Sequence, residues 1–234
     1  YYPKPMSKSC IKNILNQMEN SIYEIIEKEK KIGIGIFCYI KYRNKTIPVL
    51  ISNNPKIDEN YNNEITISIN NVSQTIKLGT LRYKDEENDI IITEIKENKK
   101  IFICELDEGL HENDYEIYYN NKQIYIINND EKDISLSYGI IKNVDEKEIT
   151  YYGNKINNSK GFPIFNLYNN KLIGLCGNNS TFLNKGILLK KIISDINKYK
   201  NDNNEIIIQI KVDSEQINKE IYFLDNYNAE EKED

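Results

Sequence analysis

The 234-residue sequence predicts an all-β architecture of two six-stranded antiparallel β-barrels, with a short helix before the first barrel and another after the second. Three observations carry that expectation. Short runs rich in β-branched and aromatic residues recur at near-regular spacing, in two sets of six separated by a charged, irregular passage near residues 108–120. Almost nothing with a helical period lies between them, which argues for antiparallel hairpins rather than alternating β and α units. The helical spacing of apolar residues is confined to the two ends of this layout.

The elements follow in chain order. Ser9 to Met18 places Ile11, Ile14, Leu15 and Met18 at helical spacing behind a serine cap, which predicts a short amphipathic helix used for packing. From Ser21, the residues Ile22, Ile25 and Ile26 could extend that helix or form a strand running into the polar corner Glu27 to Lys31; the strand is favoured. IGIGIFCYIKY (32–42) and TIPVLIS (46–52), joined by a short Arg-Asn-Lys link, read as a hairpin. Glu64 to Ile69, Val72 to Leu78 and Asp89 to Lys96 complete the first six strands. The second six are Gln123 to Asn128, Ile134 to Val144, Glu148 to Tyr152, Phe162 to Leu167, Leu172 to Cys176 and Gly186 to Leu189. Within this set, NNSKGFPIFNLYNNKLIGL (157–175) reads as a turn feeding a hairpin around the polar corner Tyr-Asn-Asn-Lys. Leu188, Leu189, Ile192, Ile193 and Ile196 then carry the helical period of a terminal helix.

The expected organisation is therefore an N-terminal helical segment at 1–20, a double barrel at 21–200 with halves of about 21–110 and 120–200, and an extension at 201–234. That extension holds an apolar strand-like run, EIIIQIKV, and a second apolar run, IYFLDN. It reads as a segment packed on the scaffold or as the start of a further module. A chain of this length buries roughly 70% of its unfolded surface, so it needs no metal or disulfide framework to hold a core. Cys10, Cys38, Cys104 and Cys176 are scattered with no C-x-x-C pair, which suits reduced thiols and a cytoplasmic setting better than a secreted scaffold, with two disulfides as the alternative. The net charge of −5 is spread along the chain without a basic stripe, so no nucleic-acid partner is expected. No run is long and apolar enough for a membrane span, and YYPKPMSKS lacks the layout of a signal peptide. The first residue is not methionine and the end is acidic, which suggests a segment of a longer, multidomain polypeptide. No cofactor or metal is called for.

Ordered motifs along the chain resemble the trypsin-like serine proteases. IGIGIFCYI is similar to the G-x-G-F strand that opens such domains, and PVLISNN to the strand leading into the catalytic histidine, whose place Pro55 takes. NDIIITEIK resembles the strand that begins with the catalytic aspartate, a position filled by Asp89. S-K-G-F-P-I resembles the nucleophile loop, with Lys160 where the serine would stand. The resemblance covers about residues 21–200 and implies two six-stranded barrels with a C-terminal helix and a cleft between them.

It also implies a site without its chemistry. Acyl transfer by a serine triad needs a hydroxyl nucleophile, an imidazole near neutral pKa and a carboxylate that orients the imidazole. Lys160 has no hydroxyl, and Pro55 accepts no proton. The oxyanion-hole amides would belong to Lys160 and Asn158, the latter replacing the usual glycine. Loss of triad members removes on the order of 10⁴ to 10⁶ in rate. The resemblance thus implies an inactive homologue binding an unknown peptide or protein, with an active serine-type hydrolase of rearranged site as the alternative. His111, the sole histidine, lies in a polar passage and reads as a solvated surface residue. Cys176 reads as a small buried hydrophobe, because no histidine accompanies it. Ser159 and Lys160 do not read as a Ser-Lys dyad, since adjacent side chains on an extended turn diverge. With both replaced residues in place, the ammonium of Lys160 is expected to face the Asp89 carboxylate directly or through a water.

Overall fold

The structure, a computed structural model, describes residues 6–53, 64–96, 101–130, 133–154, 159–177 and 183–198. The extension at 201–234 and the expected site positions Pro55 and Asn158 lie outside them. Helix α1 (Lys8–Asn20) precedes six strands: β1 (Tyr23–Glu27), β2 (Lys30–Tyr42), β3 (Lys45–Ser52), β4 (Glu64–Ile69), β5 (Val72–Asp85) and β6 (Ile90–Ile95). A 3-10 turn (Glu108–His111) and a short helix α2 (Tyr115–Tyr119) lead into β7 (Gln123–Asp130), β8 (Asp133–Val144), β9 (Glu148–Gly153), β10 (Pro163–Asn166), β11 (Leu172–Cys176) and β12 (Asn184–Leu188). Helix α3 (Leu189–Lys198) follows.

Every strand pairing is antiparallel, and the strands form two closed barrels. The first runs in the order β1-β2-β3-β6-β5-β4 and the second in the order β7-β8-β9-β12-β11-β10, so both halves repeat one topology. Closure gives every strand a neighbour on both sides, although partners of unequal length leave part of an edge uncovered, as on β2 beyond Gly35. Tight hairpins set the register. Asn70 and Asn71 hold φ of 50° and 62° between β4 and β5, the left-handed pair whose twist matches the flanking strands. Lys28 and Glu29 do the same between β1 and β2, with φ of 47° and 65°, although their side chains do not favour that region.

Differences from the sequence expectation have local causes. Strand β5 continues past Leu78 to Asp85 because its register with β6 shifts between Leu78 and Leu81 and again between Leu81 and Tyr83, which breaks the alternation that marks a strand. The passage expected to be irregular contains the 3-10 turn and α2, so helix is not confined to the two ends; Asp107 starts that turn by accepting a hydrogen bond from the Gly109 amide at 2.8 Å. Helix α1 begins one residue early, because Ser7 rather than Ser9 caps it, accepting from the Cys10 amide at 3.2 Å. Its inward face carries Ile14 and Gln17, whereas Ile11 and Leu15 remain exposed.

Burial explains why several strands read as unbroken apolar runs. In β2, β3 and β6 one face (Phe37, Leu50, Ile91) fills the first barrel. The opposite face (Ile36, Cys38 and Ile40; Val49 and Ile51; Ile90 and Ile92) belongs to a separate apolar cluster that continues through α3 into the second barrel. Strands buried on both faces lose the alternation expected of a half-exposed sheet. Helix α3 contributes Leu189, Ile192, Ile193 and Ile196 and touches β2, β5 and β11, so it seals both barrels rather than the second alone. The segment 101–107 stitches the halves together. Cys104 donates its amide to the Phe37 carbonyl at 2.8 Å, and Asp107 and Leu172 exchange amides with the Leu172 and Glu105 carbonyls at 2.9 and 2.8 Å. The segment thereby bridges β2 at Cys38 and β11 at Leu172.

Candidate functional site

Asp89 ends the turn before β6 in the first barrel, and Lys160 sits in the loop before β10 in the second. The Lys160 ammonium donates to Asp89 Oδ2, an ion pair between residues 71 apart in sequence. Both side chains are partly exposed, at 29% for Lys160 and 36% for Asp89, so the pair lies at the solvent boundary between the barrels.

Each partner is positioned by its own loop. The turn ahead of Asp89 is organised by Asp85, whose Oδ1 accepts from the Asn88 amide at 3.0 Å and whose Oδ2 accepts from Asn88 Nδ2 at 2.8 Å. Asp89 itself adopts φ of 56°, a left-handed conformation that aspartate tolerates better than most residues. On the other side, the Phe162 amide donates to the Ser159 carbonyl at 3.0 Å, and the Gly161 amide and Cys176 carbonyl pair at 2.7 Å, which ties the loop to β11. Behind it, the Ser159 hydroxyl hydrogen-bonds the buried Cys176 thiol, and the Tyr151 hydroxyl lies 3.5 Å from that sulfur. Burial pushes the Cys176 thiol up to about 12, with both hydroxyls opposing the shift. It is thus a packed thiol rather than a nucleophile.

Asn53 fastens the Lys160 loop to the first barrel. Its Oδ1 accepts from the Ile34 amide at 2.9 Å within the first barrel, and its Nδ2 donates to the Lys160 carbonyl at 3.0 Å in the second. Gly161, at φ of +86°, passes so close that an added Cβ would lie 2.5 Å from Asn53 Cβ. Asn53 was not distinguishable in the sequence. It stands in PVLISNN as one more asparagine of an asparagine-rich loop, and its role depends on a residue 107 positions away.

Of the expected site residues, the structure brings Asp89 and Lys160 together and buries Ser159 and Cys176 behind them. His111 lies apart, exposed on the 3-10 turn, near Glu108, whose carboxyl the Lys171 ammonium holds below the usual range. As the sole histidine of the chain, it leaves the Asp89–Lys160 pair without an imidazole. The pair can hold charge and present hydrogen-bonding groups, but it contains no hydroxyl-base couple. Among the described residues no cluster of three histidine, cysteine or acidic side chains could hold a metal, and no helix is long and apolar enough to cross a membrane. No family model matches the chain, and no curated protein matches it either.

Proposed function

We propose that this chain is a catalytically inactive homologue of the trypsin-like serine proteases, in which a cleft between the barrels serves as a peptide- or protein-binding surface. The observation that carries this reading is the Lys160–Asp89 ion pair. Two motif positions that the resemblance assigns to nucleophile and orienting carboxylate are adjacent in space, in a molecule built of two closed six-stranded barrels. The ammonium stands against the carboxylate with no imidazole between them, a charge arrangement that supports cleft closure and offers no path for proton abstraction. The rearranged-hydrolase alternative needs a base, and His111 is exposed on the 3-10 turn, outside this cleft.

The test has two arms. A serine-directed fluorophosphonate probe should leave the unmodified chain and Lys160→Ser unlabelled, and neither should cleave a mixed peptide substrate above background. Panning a phage-displayed random peptide library against the chain should enrich a common sequence whose binding weakens several-fold in Asp89→Lys. Stoichiometric labelling at a cleft serine overturns the inactive reading. Failure to enrich any sequence overturns the binding role.

A further inference from the structure

We propose that Cys38 and Cys104 form a latent redox site, a dithiol that closes to a disulfide and fastens the inter-barrel segment 101–107 to the first barrel. The site is independent of what the cleft binds. Strand β2 pairs with β1 through Lys30–Gly35 and with β3 through Gly35–Tyr42, so beyond Gly35 one of its edges is not occupied by β1. Segment 101–107 takes that edge, and Cys104 lies opposite Cys38 in a parallel bridge held by the Cys104 amide on the Phe37 carbonyl.

Residues opposite one another in a ladder project to the same side of the sheet at a strand separation of about 4.8 Å. Disulfides span Cα separations of roughly 4.4–6.8 Å, so the backbone is already within bonding range. Both thiols are reduced, buried and part of one apolar cluster. The other cysteines are engaged elsewhere: Cys176 with Tyr151 and Ser159, and Cys10 with the Leu167 carbonyl and the Asn170 amide group. Burial pushes the Cys38 thiol up to about 12 and raises Cys104 as well, with Cys38 adding to the shift on Cys104. Both therefore stay protonated at neutral pH while the segment is docked, which makes reaction slow and dependent on its transient opening.

The oxidant is a low-molecular-weight disulfide. One cysteine, deprotonated in the open state, attacks the oxidant sulfur, breaking its S–S bond and forming a mixed disulfide as the first small thiolate leaves and takes up a proton. The second cysteine, losing its proton, displaces the other small thiolate. Two protein thiols are oxidised by two electrons, and one small disulfide is reduced to two thiols. Because Cys104 lies just ahead of the residues that pair with β11, the new bond braces the connection between barrels at its first-barrel end.

The full chain is incubated with oxidised glutathione, quenched with an alkylating agent in denaturant, digested and mapped by mass spectrometry. Two of the four thiols should become unreactive, with one linked peptide pair joining Cys38 to Cys104, and the oxidised chain should unfold at a higher temperature than the reduced one. Cys10→Ser should leave the bond intact, and Cys38→Ala or Cys104→Ala should abolish it. The wild-type peptide map decides the matter even where an alanine variant fails to fold. Four thiols still alkylated in the most oxidising buffer, a bond from Cys10 to either cysteine, or an oxidised form that unfolds at lower temperature each overturns the proposal.

Discussion

The Lys160–Asp89 pair joins the barrels, yet its partial exposure limits what it contributes to stability. Solvent screening and side-chain entropy hold such pairs to about 0.5–1 kcal/mol. A double-mutant cycle of Lys160→Ala and Asp89→Ala in urea should therefore return a coupling of about 0.5 kcal/mol that shrinks in high salt. A coupling above about 3 kcal/mol would mean that the pair is far more desolvated than its exposure indicates. Asp107 is the opposite case. It is fully buried, and its carboxylate accepts four hydrogen bonds: from the Gly109 amide at 2.8 Å, the Tyr119 hydroxyl at 2.9 Å, and the Asn166 and Asn169 amide groups at 2.9 and 2.8 Å. Asp107→Asn keeps the shape but sets a new amide donor against those donors, and should cost about 2–3 kcal/mol in chemical denaturation. An unchanged urea midpoint would show that Asp107 is not the anchor between the 3-10 turn and the β10–β11 hairpin.

At the scale of elements, the two long helices are held by different physics. Helix α1 is attached to the second barrel through a polar network, although it precedes the first in sequence. Gln17 donates to the Asn170 carbonyl at 2.8 Å and accepts from the Tyr125 hydroxyl, which itself accepts from Asn170 Nδ2 at 3.2 Å. This network accounts for the orientation of the helix, with Gln17 buried and Leu15 exposed. Helix α3 instead docks through an apolar stripe, and its end is tied down by Asn197, which accepts from the Arg43 amide at 2.9 Å and donates to the Lys41 carbonyl at 2.8 Å. Truncating Ile192, which is 2% exposed in the shared apolar cluster, should destabilise the whole chain by about 2–4 kcal/mol. Removing the α1 cap with Ser7→Ala should cost only about 1 kcal/mol. Thermal unfolding of the two variants distinguishes these costs, and equal losses would contradict the central placement of α3.

For the whole molecule, the buried thiols and phenols set a limit on alkaline stability. Burial raises Cys38 and Cys176 from 9.0 to about 12, and raises Tyr119, Tyr125 and Tyr151 above their ordinary value of 10.0. These groups are neutral when protonated, so the folded state binds its protons more tightly than the unfolded chain. Their contribution is fully present below the unfolded values and is lost as pH rises toward the folded ones. Stability should hold to about pH 9 and fall steeply between about pH 9 and 12. Tyrosinate absorbance should then show the buried phenols ionising together with loss of the folded circular dichroism signal. Independent, gradual ionisation of all phenols with the fold intact would contradict this burial.

The sequence by itself determined the strand content, the division into two sets of six and the positions of the first and last helices. Those features rest on local periodicity and turn chemistry, as in the β4–β5 hairpin at Asn70–Asn71 and the apolar stripe Leu189–Ile196. It also pointed to Asp89 and Lys160 as neighbours, through short motifs rather than through any spacing that could establish contact. Only the tertiary structure decided that Asn53 joins the two barrels, that Cys104 lies opposite Cys38 and that Gln17 turns inward, since each depends on partners from a distant part of the chain. Hydrophobic patterning reports which face of an element is buried. It does not encode which other element buries that face, because apolar burial is non-directional and the specific polar contacts form only once the barrels are closed and docked.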